Sequence, residues 1–339
     1  MEKPILGIHH VTAIASDPQR NLDFYTDLLG LRLVKKTVNF DDPGTYHLYF
    51  GDDIGSPGTI LTFFPWPMAA RGIPGVGQVT VTSFSVPEQS LGYWEQRLHA
   101  AGAPVERSGK RFEEEVLTFS DPDGLKLEMV GHAGANGARP RRRRGSGVVD
   151  TNANNPLPHL IQAGESVIPE EHAIRGFYAV TLSEQGFEAT AEVLRMMGFR
   201  AVAEQGNRFR FDVGEGGAGA RVDVLCLAEA RHGRVSAGTV HHVAWRVTDD
   251  ESQRAWRKHL LGKHLNLTPV IDRCYFHSVY FREPGGVLFE LATDPPGFAI
   301  DEPTESLGES LKLPPWLEPH RKEIERVLPP IQLRKSADA

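Results

Sequence analysis

Cysteine is nearly absent from the 339 residues, with Cys226 and Cys274 the only two. Two cannot build the disulfide scaffold of a small secreted domain, and they suit a reducing compartment. No apolar run reaches the roughly 20 residues that a membrane-spanning helix needs, so no membrane partner is expected. No charged-then-apolar leader precedes the first strand-like pattern, and the expected location is cytoplasmic. Excess positive charge is missing too: the formal net charge of -7 argues against general nucleic-acid binding. The one basic run, Arg139-Pro140-Arg141-Arg142-Arg143-Arg144, lies between Gly-rich segments and reads as a solvated linker rather than a binding patch. The remainder, 40% hydrophobic and 24% charged, is ordinary globular composition with length for two domains.

What the chain does have is a duplicated stretch. Gly7-Ile8-His9-His10-Val11-Thr12-Ala13-Ile14-Ala15-Ser16-Asp17 returns as Thr239-Val240-His241-His242-Val243-Ala244-Trp245-Arg246-Val247-Thr248-Asp249. Each copy is a His-His pair heading a β-prone run that ends at an acidic turn before a helix-like segment. Alternate strand side chains point to opposite faces, so the two histidines of a pair should part company. His9, Val11, Ala13 and Ala15 form one face, as do His241, Val243, Trp245 and Val247; these faces look made to pack on helices. That leaves His10 and His242 pointing inward, free to converge if two copies of the unit meet around a pseudo-twofold axis.

The first copy begins a longer pattern. A strand over residues 5–15 is followed by a helix from Asp17-Pro18 to about Leu29, stopped by Gly30. Strands are expected over residues 31–39, 46–50 and 59–64, with turns at Asp42-Pro43-Gly44 and Ser56-Pro57-Gly58. This βαβββ unit recurs from residue 78, from residue 176 and from His241. The expectation is an α+β fold of four βαβββ modules in two pairs: residues 5–131, a Gly/Pro/Arg-rich linker at 132–173, residues 174–297, and a tail at 298–339 with a short helix near residues 318–326. Four such units resemble the vicinal oxygen chelate superfamily, which includes glyoxalase I, extradiol ring-cleaving dioxygenases and bleomycin-resistance proteins.

A carboxylate completes the histidine pair. Glu283-Pro284-Gly285-Gly286 marks a turn, and a hairpin centred there sets Tyr280 across from Glu290, which projects alone from an apolar strand. His10, His242 and Glu290 make a two-histidine, one-carboxylate set that suits Fe(II) or Mn(II) and leaves metal positions open. The rival Glu128 follows Asp121-Pro122-Asp123-Gly124 in the same way, but Val81, and Tyr178 or a neighbour, stand where its histidines would be. The expectation is therefore a metal between modules one and four, a structural counterpart between two and three, and Glu128 a relic or surface residue.

A nearer resemblance rests on His9-His10-Val11-Thr12, Tyr46-His47-Leu48-Tyr49-Phe50, Pro57-Gly58-Thr59, Arg175-Gly176-Phe177, His241-His242 and Tyr280…Pro284-Gly285-Gly286…Glu290. These look like the hydroquinone 1,2-dioxygenase branch, which uses Fe(II) and O2 on aromatic diols. The resemblance implies that His10, His242 and Glu290 hold the iron. It also implies that His9, Thr12, His241, Arg273 and Tyr280 line the substrate pocket as catalytic residues. A pocket role for His9 and His241 conflicts with the helix-packing face unless a bulge intervenes. Arg273 stays open between oxyanion stabiliser and a surface ion pair with Asp272. His47 and His277 lie near strands, without spacing that makes them ligands.

Three functions compete: a ring-cleaving dioxygenase, with a para-diol ahead of an ortho-diol; a glyoxalase-like isomerase or lyase; and a non-enzymatic bleomycin-resistance-like binding protein. A four-ligand isomerase site would need a carboxylate from Thr59-Ile60-Leu61-Thr62-Phe63, which has none. A homo-oligomer is compatible with all three.

Overall fold

The computed structural model describes residues 3–136 and 168–333, so the Arg-rich run and most of the expected linker lie outside the described residues. Module one comprises β1 (Ile8–Ala15), α1 (Pro18–Asp23), β2 (Arg32–Asn39), β3 (Asp42–Gly51) and β4 (Ile60–Pro65). Module two comprises β5 (Gln78–Pro87), α2 (Leu91–Ala100), β6 (Val105–Arg111), β7 (Glu114–Ser120) and β8 (Lys126–His132). Module three has β9 (Phe177–Glu184), α3 (Glu188–Met196), β10 (Arg200–Gln205), β11 (Arg208–Asp212) and β12 (Arg221–Cys226). Module four has β13 (Thr239–Val247), α4 (Asp250–Leu261), β14 (Ile271–Asp272), β15 (Phe276–Arg282) and β16 (Leu288–Pro296).

Local chemistry sets the helix limits. Asp17 caps α1 by accepting from the Arg20 amide, with Pro18 at the first turn, and Asp249 caps α4 through Ser252. The first helix continues past Asp23 as a π turn over Phe24–Leu28, closed by the Leu29 amide on the Phe24 carbonyl. Gly30 and Gly198, at φ +68° and +88°, terminate the first and third helical segments where an L side chain would be strained.

The sheets join modules that are far apart in sequence. One has the order β14-β15-β16-β13-β1-β4-β3-β2 and unites modules one and four; the other, β10-β11-β12-β9-β5-β8-β7-β6, unites two and three. Val11, Ala13 and Ala15 with Val243, Trp245 and Val247 are buried in the main core, as their shared face requires. His10, Thr12 and His242 belong to the opposite, concave side.

One turn is displaced from its expected place. Asn39 already pairs with Asp42, so the β2–β3 hairpin turns at Phe40-Asp41 rather than at Asp42-Pro43-Gly44. The Asn39 side chain accepts from the Asp41 amide at 3.0 Å and captures the turn early. Asp42 is held in the strand by donors from Thr45 and the Trp66 indole, both at 2.8 Å.

The tail lies along module one. Lys35, fully buried on β2, pairs with Asp301 at 2.6 Å and with Glu302. Arg32 donates to the Glu305 carbonyl at 2.9 Å, and the short helix α5 (Arg321–Val327) ends the segment.

Candidate metal centre and pocket

Two β-bulges resolve the conflict over the histidines. Between β1 and β13, Ile8 opposes Trp245 and His10 opposes Ala244, leaving His9 as the extra residue on β1. Thr12 opposes His242 and Ala13 opposes Val240, leaving His241 as the extra residue on β13. Strict alternation therefore fails at the residue before each inward histidine, as a bulge demands. The expected helix-packing side for His9 and His241 is corrected by the same fact. Each instead bonds its neighbour, at 2.9 Å between His9 Nδ1 and His10 Nδ1 and at 2.8 Å between His241 Nδ1 and His242 Nδ1.

Those bonds leave the Nε2 atoms of His10 and His242 facing each other and one carboxylate. Glu290 Oε2 lies 3.2 Å from His10 Nε2 and 2.9 Å from His242 Nε2, while Ser278 donates to Oε1 at 2.5 Å. All three side chains are buried, and Glu290 Oε2 makes no well-formed hydrogen bond. Burial alone would raise the Glu290 carboxyl, but the two imidazoles outweigh it and hold it well below the usual range. A buried anion with an orphaned oxygen and two converging imidazoles is a donor set for a divalent cation. The second nitrogens fit as well: if Nε2 is the ligand atom, His10 Nδ1–H donates to His9, whose ring also bonds the Thr293 backbone.

The two histidines of the set form part of the wall of a cavity of about 300 Å³. Tyr280, directly across the ladder from Glu290, lines it with Arg273, His241, Phe276 and Leu288. Arg273 pairs with Asp41 at 3.0 Å and lies 5.6 Å from the Tyr280 ring centre, so of the two alternatives left open for it the ion pair is made across modules to Asp41 rather than to the adjacent Asp272. Burial pushes the Tyr280 phenol up and pulls the His241 imidazole down to about 3. His9 and Thr12 do not line the cavity. His9 sits behind His10, and Thr12 is buried and accepts from the Thr62 hydroxyl at 3.0 Å.

The structure also brings in residues that the sequence reading set aside or did not single out: His47 and Tyr49 on β3, Asn39, Phe40 and Asp41 at the hairpin tip, and Phe64 and Trp66. The available signal was His47 and Tyr49 at i, i+2, one face of a strand beside a turn. His277 stays outside the cavity and bonds Asp250 at 2.6 Å.

The other sheet carries the counterpart with the chemistry removed. Its bulged residues are Thr80 and Tyr178, so Val81 and Ala179 occupy the places of His242 and His10. Glu128, opposite Ser83, occupies that of Glu290. Glu128 is neither exposed nor idle, contrary to expectation: it is 1% exposed, accepts from Ser83 at 2.7 Å and is clamped by Arg111 at 2.5 and 2.6 Å. Arg210, Asp223 and Glu114 extend the ion pairs through the space that the cavity occupies in the first sheet.

With this geometry in hand, likeness to known proteins is decisive. The profile of the Glyoxalase/Bleomycin resistance protein/Dioxygenase superfamily matches residues 7–129. MhqO of Bacillus subtilis, named a ring-cleaving dioxygenase, is 46% identical over 336 residues, 99% of each chain. This chain belongs to the glyoxalase and dioxygenase superfamily. The chlorohydroquinone/hydroquinone 1,2-dioxygenase of Sphingobium indicum is 33% identical over 95% of each chain. The crystal structure of a Bacillus subtilis protein named a dioxygenase covers 98% of this chain and 99% of its own at TM-score 0.86 and 44% identity. Glyoxalase I of Zea mays, at 12% identity and TM-score 0.57 over 85% of this chain and 92% of its own, shares the fold. Among the described residues no helix is long and apolar enough to cross a membrane.

Proposed function

We propose that this superfamily member is an Fe(II)-dependent ring-cleaving dioxygenase acting with O2 on a dihydroxylated aromatic, a para-diol ahead of a catechol. The observation that carries the reading is the orphaned Glu290 oxygen facing two imidazole Nε2 atoms beside a cavity of about 300 Å³ with aromatic and polar walls. The names of the full-length relatives support it. His10, His242 and Glu290 would hold the iron, with Mn(II) the alternative for the same N,N,O donors. Bound there, the metal would lower the pKa of a substrate phenol and supply the redox chemistry of O2.

The chain's own residues do the rest. Phe276, Phe64 and Trp66 give an aromatic ring an apolar seat. With His242 holding the metal through Nε2, its Nδ1–H donates to His241 Nδ1, so His241, neutral through burial, presents its Nε2–H as a donor to a substrate oxygen. Tyr280 and Arg273 present an O–H and a guanidinium to the oxygen on which negative charge develops. The isomerase alternative meets an obstacle here. By pseudo-symmetry, Thr62 on β4 stands where Glu290 stands on β16, so the place of a fourth protein ligand holds a hydroxyl.

Oxygen uptake by anaerobically purified, Fe(II)-loaded protein tests the reading, with hydroquinone, chlorohydroquinone and catechol offered in parallel. Stoichiometric O2 consumption with a ring-opened product is expected, and Glu290→Ala and His242→Ala should abolish it. Tight metal binding without uptake on any diol would overturn the reading.

A further inference from the structure

His47 and Tyr49 face the cavity but belong to neither the ligand set nor the Tyr280–Arg273 wall. They lie on β3, two strands from β1 in the order β1-β4-β3, which puts their backbone roughly 10 Å from that of His10. Tyr280 and Arg273 belong to the other side, on β15 and the loop before it. A ring whose first oxygen meets the His10–His242–Glu290 set can therefore span the cavity and carry a para substituent to the β3 wall. An ortho-diol, with both oxygens at the metal side, would leave that wall unmet.

The hydrogen bonds on β3 have a determined direction. The Thr62 hydroxyl gives its single proton to Thr12 Oγ1 at 3.0 Å. It must then accept from His47, whose Nε2 lies 2.8 Å away, so Nε2 carries the proton. Nδ1 is left as an acceptor, and the Tyr49 hydroxyl 2.8 Å from it is the donor. Tyr49's only proton is thereby committed, and its oxygen can offer nothing but lone pairs. The imidazole is held by its rings as well, with centroids 4.0 Å from Tyr49 and 4.3 Å from Phe64. Tyr49 in turn packs on Tyr275, Phe276 and the tail residue Phe298. The result is a preorganised acceptor, built from a hydroxyl that would otherwise rotate freely.

We propose that Tyr49, locked as an acceptor by the His47–Thr62–Thr12 chain, receives the second O–H of a para-diol and sets the preference for that substrate over ring compounds lacking the donor. The proposal rests on the dioxygenase reading above and goes beyond it. It makes Tyr49 a specificity residue, and His47, Thr62 and Thr12 positioning residues. It also gives Thr12 a role without a place in the cavity. The position where a fourth metal ligand would stand has become the hub of this chain.

Anaerobic calorimetric titration of the Fe(II)-loaded protein tests the proposal by binding, apart from turnover. Hydroquinone, 4-methoxyphenol and catechol are the probes, the second replacing the distal O–H by an ether. The wild-type protein should bind hydroquinone roughly 3- to 10-fold more tightly than 4-methoxyphenol, the range of one neutral hydrogen bond. Tyr49→Phe should bring that ratio to near one while leaving the 4-methoxyphenol affinity within about twofold. Thr62→Val should lower the ratio too, by releasing the His47 tautomer and with it the Tyr49 proton. A wild-type ratio in Tyr49→Phe, or a uniform loss of affinity for both phenols, overturns the proposal while the dioxygenase reading stands. Binding of catechol alone overturns the proposal together with the para-diol preference, and binding of none of the three overturns the dioxygenase reading itself.

Discussion

The Nε2 atoms of His10 and His242 lie 3.4 Å apart, although the two residues are 232 positions apart in sequence. Both face the same oxygen of Glu290. Three donor atoms gathered in a buried place are costly without a cation, so if they hold a metal as proposed it should stabilise the folded chain by mass action. Chelation is expected to lower the melting temperature by about 5 °C, restored on adding Fe(II) or Mn(II). Glu290→Ala should show no difference between chelated and metal-loaded samples in the same scan.

Removing Arg111 would strand the Glu128 carboxylate in the second sheet, where Arg210, Asp223 and Glu114 fill the space that corresponds to the cavity. Arg111→Met is expected to cost about 3–5 kcal/mol in denaturant unfolding. The double variant Arg111→Met with Glu128→Leu should recover most of that loss, because the charge and its partner leave together. Metal content, set in the other sheet, should be unchanged in both. An Arg111→Met variant of wild-type stability would count against the Arg111–Glu128 pair holding the second sheet together.

Glu184, 1% exposed, sits against the Gly285 turn near Glu283. Burial, then the charge and hydrogen bond of Glu283, push its carboxyl up to about 8. Between the usual value of 4.5 and about 8 the folded chain holds a proton that the unfolded chain releases, so this group's contribution to stability falls as pH rises through that window. Glu184→Gln keeps a donor toward Glu283 and carries no charge. It should flatten the fall and be more stable than wild type at pH 9, by about 1–3 kcal/mol in urea melts. An identical slope in both proteins would refute the assignment.

Lys35 anchors the tail through Asp301 and Glu302, and Phe298 beside them packs on Tyr49. Lys35→Met leaves the buried Glu302 unpaired, with an expected loss of about 3 kcal/mol. Limited proteolysis should then cut within residues 301–320 faster than in wild type, with the sheets intact. Equal cleavage rates would mean that apolar packing alone holds the tail.

Much of the fold was legible in the chain. The repeated strand–helix–strand grammar, the capping Asp17 and Asp249 and the glycines after the helices fix local structure through spacing and propensity, which are properties of neighbours. The duplicated His-His pair and a solitary Glu in an apolar strand were equally visible, because a charged or titratable group on a buried face stands out against its surroundings. The alternation rule misread His9 and His241, since a bulge is a pairing event between β1 and β13 and neither strand carries it alone. Glu128 looked exposed or vestigial for a similar reason. Its partner Arg111 comes from a separate strand of the module, and ion pairing across a sheet has no signature in spacing.

The cavity belongs wholly to tertiary structure. Asp41 meets Arg273 only because modules one and four share a sheet, and His47 becomes a wall residue only because the sheet curls around the converging histidines. The sequence by itself determined the modules, the helix limits and the identity of the converging histidines and glutamate, all set by short-range pattern. The folded chain decided where the bulges fall, which side chains wall the cavity and which hydroxyl fixes which imidazole, because these depend on groups brought together from distant strands.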